Sequence, residues 1–233
     1  MPVRRLDRSL IRDLSIFQSM SESDLDAVLA TASVRQLPEG TAVFEQGAEA
    51  TEFFALLHGR LKVVQTTPDG QQVVVRHVNP GDIFGIAKAM RRTDYPATAA
   101  AVVDSLALAW PSAQWESFIA RSPVLALNAL QTVGQRLQDA HARIRELSTE
   151  EVERRIAHAL LRLVHQAGRK TEDGILIDFP VTRQDIAEMT GTTLHTVSRV
   201  MTAWEAKGLV ASGRKKVTVK DAHRLHVLAE KPH

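Results

Sequence analysis

The sequence predicts an α+β chain in which an N-terminal β jelly roll leads into a long helix and then into a C-terminal winged helix-turn-helix. Three observations predict it. Glycines at 40, 47, 59, 70 and 81 cut one stretch into short segments rich in Val, Phe and Leu. Apolar residues from Leu130 to Leu147 then recur in alternating steps of three and four. Finally, TRQDIAEMTGTTLHTVSRV places two helical patterns around one Gly. At 233 residues, 44% apolar and 24% charged, the chain is long enough for one large domain or two modest ones.

Several classes are excluded early. No apolar run reaches the roughly 18 residues of a membrane span, and MPVRRLDRSL has no apolar stretch behind its charges, so a cytoplasmic protein without membrane contact is expected. The absence of Cys removes disulfides, thiolate-held iron-sulfur clusters and Cys nucleophiles. Charge is uneven: residues 1–151 carry 15 basic and 18 acidic side chains and residues 152–233 carry 14 and 9, although the whole chain is only +2. That asymmetry suggests a partner or effector region joined to a polyanion-binding region.

In chain order, SESDLDAVLAT at 21–31 reads as a short helix with Ser21 as N-cap. The segments AVFEQ, EFFALLHG, RLKVVQ and QQVVVRHV follow as strands, with glycine spacings of 7, 12, 11 and 11 residues. TTPDGQ supplies Pro and Gly for the hairpin between Val64 and Val73. Two further strands are expected near 97–103 and 106–110, with Pro111 closing the β region. Leu130, Val133, Leu137, Ala140, Ile144 and Leu147 then form a 3.5-residue seam, the pattern of a helix packing on its own copy, so a homodimer through 126–147 is expected.

After a break near Ser148, EVERRIAHALLRLVHQAG reads as an amphipathic helix closed by Gly168, GRKTEDG as a loop and ILIDF as a strand. Thr182 is the expected cap of the first helix before Gly191, and Thr192 or Thr193 of the second. Ile186, Ala187, Val197, Val200 and Trp204 are expected on the packed faces. His195, Thr196, Ser198 and Arg199 then face outward near the start of the second helix, where an α-helix fits a DNA major groove. GLVASGRKKVTV reads as a two-stranded wing.

These parts together resemble the Crp/Fnr family of bacterial transcription regulators over about residues 10–225, through the barrel glycines, the PGDIFG turn at 80–85 and TRQDIAEMTGTTLHTVSRVMTAWEAKGLV. The resemblance implies a cyclic-nucleotide-binding-like, effector-sensing barrel with N-terminal helices over 1–111, a dimerisation helix over 112–148 and a DNA-binding domain over 149–233. It further implies double-stranded DNA and a second copy of the chain as partners. RNA polymerase is implied as well, through the loops at 66–72 and 168–174. In the family a Glu, a Ser and an Arg read TTGA-type half-sites; Ser198 and Arg199 are kept here and His195 stands for the Glu. Arg199 is then expected on guanine. Thr182, Arg183, Arg214, Lys215 and Lys216 are expected mostly on phosphates, and the site is a palindrome of the TTG-N8-CAA kind.

The effector segment departs from the cyclic-AMP members. Those carry Gly-Glu and, about ten residues on, Arg followed by Ser or Thr; in GIAKAMRRTDYPATAAA, Ile86 stands for the Glu and Pro96 for the Arg. A phosphate without its Arg lacks bidentate pairing, which argues against cyclic AMP unless Arg91 or Arg92 substitutes. Gly85 and Ala87 occupy the places where carbon-monoxide-sensing members put haem ligands, although Pro2 resembles their N-terminal Pro ligand. Tyr95 to Ala99 and TLHTVSR resemble the cysteine-free Dnr and NnrR groups, which implies control of nitrogen-oxide or anaerobic-respiration genes through nitric oxide bound to haem. His77 and His141 are the haem-ligand candidates. His58, and the pair His223 and His226, read as ordinary surface residues. Two alternatives stay open: a cofactor-free regulator controlled by its abundance, and a cyclic-nucleotide-binding module. No GxxxxGK[ST], GxSxG, HExxH or CxxC occurs, so neither an enzyme nor a metal site is expected.

Overall fold

The computed structural model describes residues 7–230. The chain folds as two units, one running to residue 66 and including 75–139, the other made of 67–74 and everything from residue 140 onward. Pro2 and His233 lie outside the described residues.

The first unit opens with short 3-10 turns at Arg8–Leu10 and Ser15–Phe17 and helix α1 (Glu22–Ala30), whose N-cap Ser21 accepts from the Asp24 amide. Strands β1 (Ser33–Leu37), β2 (Ala42–Phe44), β3 (Glu52–His58), β4 (Leu61–Thr66), β5 (Gln72–Val78), β6 (Ile83–Phe84), β7 (Thr98–Ala101) and β8 (Ser105–Pro111) follow. They form two four-stranded sheets, β1-β8-β3-β6 and β2-β7-β4-β5, the two-sheet jelly roll expected from the glycine spacing.

Strand β3 is buried on both faces, and its alternation sorts two cores. Phe54 and Leu56 join Ala107 and Ala109 of β8 between the sheets. Phe53 and Ala55 join Leu108 and Trp110 under a helical layer that includes Phe17, Val28, Phe118 and Leu125. The Trp110 indole donates to the Val28 carbonyl at 2.8 Å, which satisfies the one polar atom of a fully buried ring. Helix α2 (Trp115–Arg121) and the start of α3 (Pro123–Thr149) complete that layer.

Within α3, Leu125 and Ala129 are buried and Val133 packs on the same core, so Val133 faces its own unit rather than the exposed stripe. That stripe is made of Leu127, Leu130, Leu137, Ile144 and Leu147, with Ala140 between them. Leu127 had no place in the seam read from sequence.

The second unit contains α4 (Val152–Ala167), β9 (Gly168–Thr171), β10 (Gly174–Ile177), α5 (Arg183–Thr190), α6 (Leu194–Ala206), β11 (Val210–Gly213), β12 (Lys216–Val219) and α7 (Ala222–Glu230). Its core gathers Ile156, Leu160, Leu163, Phe179, Ile186, Val197, Met201, Trp204, Leu209, Val219 and Leu225, all buried.

One local expectation changes and two gain detail. GRKTEDG is not a loop: Gly168–Thr171 pairs with Gly174–Ile177 as a hairpin, every residue of β9 being exposed and polar or Gly, so no apolar alternation announces it. The two-stranded wing forms as read, β11 pairing with β12, and it is half of the larger sheet β11-β12-β10-β9. Gly168 ends α4 in extended rather than left-handed backbone, and it is needed because a Cβ there would collide with the Val164 carbonyl.

Candidate functional site

The helix-turn-helix is set by its caps. Thr182 and Asp185 form a reciprocal capping box at the start of α5, with the Thr182 hydroxyl 2.6 Å from the Asp185 carboxylate. Gly191 takes φ +60° in the turn, a left-handed conformation that a side chain would strain. Thr193 then caps α6 by accepting from the Thr196 amide at 3.2 Å. The packed face of α6 is Val197, Met201 and Trp204; Val200, expected there, is only half-buried, and Met201 takes its place one residue on. The Trp204 indole donates to the Glu153 carboxylate at 2.8 Å, tying α6 to α4.

With that face turned inward, His195 and Arg199 are exposed one helical turn apart, and Thr196 and Ser198 are half-buried beside them. At the wing, Arg214, Lys215 and Lys216 are exposed on the β11–β12 turn, where Lys215 holds φ +58°. The Val181 amide donates to the Lys215 carbonyl at 3.1 Å, which anchors the wing tip beside the α5 cap. Arg183 is half-buried, and its Nη2 donates to Glu205 Oε1 at 3.3 Å and to Ser212 Oγ at 3.0 Å. Neither partner had been singled out from sequence.

In the first unit, the Gly81 amide donates to the Leu56 carbonyl at 2.8 Å, and Asp82 accepts from the Asn79 amide at 2.8 Å. Ile86, 3% exposed, belongs to the apolar core under the helical layer. The Pro96 carbonyl accepts from Gln65 Nε2 at 3.2 Å. Arg92 pairs with Asp94 at 2.9 Å, and Arg91 is exposed at φ +54°. Tyr95 stacks on Phe44 in a small apolar cluster with Ala50 and Ala87. Arg136 of α3 donates to the Ile83 carbonyl, and burial lowers its pKa against the opposing charge of Asp82.

His77 is 8% exposed on β5, whereas His141 is exposed on α3. An open pocket of about 410 Å³ at one end of the barrel is lined by His58, Asp104 and Leu106 and by neither haem candidate. His223 and His226 are exposed on α7. Among the described residues no group of three or more His, Asp or Glu is assembled for a metal.

Comparison with known proteins bears on both units. Residues 34–122 match the cyclic nucleotide-binding domain family, and residues 154–228 match the Crp-like helix-turn-helix domain family. The chain belongs to the Crp/Fnr family of transcription regulators. It is similar to the cyclic AMP receptor protein of Thermus thermophilus, 29% identical over 214 residues that cover 92% of this chain and 96% of that one. It is also similar to the global nitrogen regulator of Synechocystis, 27% identical over 92% of this chain and 95% of that one. Among solved structures, a Crp-family regulator of Thermus thermophilus superposes with a TM-score of 0.73 at 25% identity, covering 84% of this chain and 97% of that one. As in its relatives, the fold of this Crp/Fnr-type regulator joins a cyclic-nucleotide-binding-like barrel, a long helix and a DNA-binding helix-turn-helix. No helix among the described residues is long and apolar enough to cross a membrane.

Proposed function

We propose that this regulator works as a homodimer reading a palindrome of the TTG-N8-CAA kind, with arm centres about one helical turn apart. The observation that carries the reading is the outward face of α6, where Arg199 and His195 are exposed one turn apart at the end of the helix that enters a groove. Arg199 pairs with the O6 and N7 of guanine, and His195, with one acceptor nitrogen at most, reads its base less strictly than a carboxylate. Arg214, Lys215 and Lys216 hold phosphates from the wing, and Thr193 and Thr196 do so from the start of α6. Thr182 uses its hydroxyl in the capping box, so it sets the entry of α5.

Dimerisation is supported by Leu130, Leu137 and Ile144, which are 69%, 55% and 60% exposed on one face of α3. Contact with RNA polymerase through 66–72 and 168–174 belongs to the same reading and is supported by the exposure of both turns. None of these roles makes or breaks a covalent bond, so the reading is a non-enzymatic one.

For the signal, Ile86 in the core and Pro96 at the phosphate position argue against cyclic AMP. Haem with nitric oxide is the second reading, carried by the likeness of Tyr95 to Ala99 and of the recognition helix to nitric-oxide-responsive members. The residues do not fit that group well: His77 is inside a sheet and His141 lies on an exposed helix face. A cofactor-free regulator, governed by its own abundance, is the reading these positions favour.

Selection of binding sites from random DNA tests the main proposal, with TTG and CAA arms expected; a pool without enrichment overturns it. Calorimetry with cyclic AMP is expected to show no saturable heat. Anaerobic spectra of haemin-treated protein test the signal. A Soret band at one haem per subunit that shifts with nitric oxide restores the haem reading and removes the cofactor-free one.

A further inference from the structure

The wing meets the helix-turn-helix at one polar node. Arg183 opens α5, Glu205 lies near the end of α6 and Ser212 sits on β11. Arg183 Nη2 donates to both partners, and the Ser212 hydroxyl donates to Glu205 Oε1, so the three side chains close a triangle across three elements. All three are half-buried. An exposed ion pair alone contributes little, but here a planar guanidinium is shared by two acceptors that also bond each other, which fixes distances between elements.

We propose that Arg183, Glu205 and Ser212 form a positioning clamp that sets the wing against the recognition helix. It rests on the DNA-binding reading. The clamp holds Arg214, Lys215 and Lys216 at one spacing from His195 and Arg199, so phosphate contacts and base contacts are engaged together. Glu205 is the telling member. A carboxylate near a polyanion repels it, and if Arg183 were a phosphate contact held back by Glu205, removing that carboxylate would tighten binding and raise the salt dependence. The clamp demands the opposite sign, because losing Glu205 frees the wing.

The test titrates the full chain against a duplex carrying TTG-N8-CAA over a range of salt, comparing the parent with Arg183→Ala, Glu205→Ala and the double variant. Each single variant is expected to weaken binding by about tenfold, with the double no weaker than either single, the signature of two groups in one unit. The slope of log affinity against log salt is expected to stay at the parent value. Glu205→Gln keeps both acceptor contacts and is expected to recover most of the parent affinity.

Tighter binding by Glu205→Ala, or a slope reduced by about 0.9 in Arg183→Ala, overturns the clamp and makes Arg183 a phosphate contact. Hydrogen exchange on the free protein decides independently of DNA. Amides of 210–219 are expected to exchange faster in Glu205→Ala while those of α4 stay at parent rates, and unchanged exchange in the wing overturns the clamp. A parent that binds no duplex overturns the DNA-binding reading, and the exchange result then decides the clamp by itself.

Discussion

Tyr95 lies flat on Phe44, with ring centroids 3.8 Å apart and planes 13° apart. Its hydroxyl donates to the Glu52 carbonyl at 2.6 Å and accepts from the Glu52 amide at 3.2 Å. The segment that differs from cyclic-AMP members is thus pinned to β3 at its end. Tyr95→Phe removes both hydrogen bonds while keeping the stack, and is expected to lower unfolding stability by about 1 to 2 kcal/mol in a urea titration. Tyr95→Ala, which also leaves a cavity, is expected to cost about 3 to 5 kcal/mol.

Tyr95 is the single tyrosine of the chain, so its titration can be followed alone. Burial raises its pKa, and this outweighs the Glu52 hydrogen bond, which lowers it. The folded protein therefore keeps the phenol proton at a pH where the unfolded chain, near pH 10, has lost it. The stability that follows is complete below that pH and falls as pH rises through the folded value. The phenolate absorbance midpoint is expected higher in native protein than in urea. Coincident midpoints would show that Tyr95 does not couple to folding.

The glycine spacing made the barrel legible because turns need what Gly alone takes easily: Gly70 in TTPDGQ has φ +85°, as the hairpin reading requires. The helix-turn-helix was legible for the same kind of reason, since Thr182, Gly191 and Thr193 are local signals read over three or four residues. What escaped depends on distance. Arg183 reads as a phosphate contact, and the Glu205 and Ser212 that it binds lie 22 and 29 residues away in sequence. Met201 rather than Val200 faces inward because one residue turns a helix by about 100°, finer than apolar spacing alone decides. Val133 was placed in the seam because a heptad count does not show which side of a helix its own domain covers.

The exposed stripe of α3 yields a direct expectation. Leu137→Glu places a charge in the middle of an apolar seam, and sedimentation is expected to report monomers with palindrome binding lost. A dimer of unchanged mass would remove the symmetric-site reading.

Base and phosphate contacts separate by their salt behaviour. Arg199→Ala is expected to cost about 1 to 3 kcal/mol on the palindrome and to flatten preference at the guanine. Lys216→Ala is expected to weaken all sequences alike and to reduce the salt slope by about one unit. His195→Glu is expected to sharpen selection toward TTGAT arms. The same selected sequences from parent and His195→Glu would show that His195 does not read bases.

Residues 140–149 of α3 belong with the second unit. Glu146 pairs with Arg162 at 2.6 Å, and Leu147 crowds Gly191, where an added Cβ would stand 3.1 Å from its side chain. Arg155 joins the Thr190 carbonyl to that of Glu150, at 3.1 and 3.2 Å. For transplantation of the DNA-reading module onto another sensor, the place to splice is therefore not the visible bend after Thr149 but about three helical turns earlier. A graft cut at the bend leaves behind the stem on which the turn of the helix-turn-helix is seated.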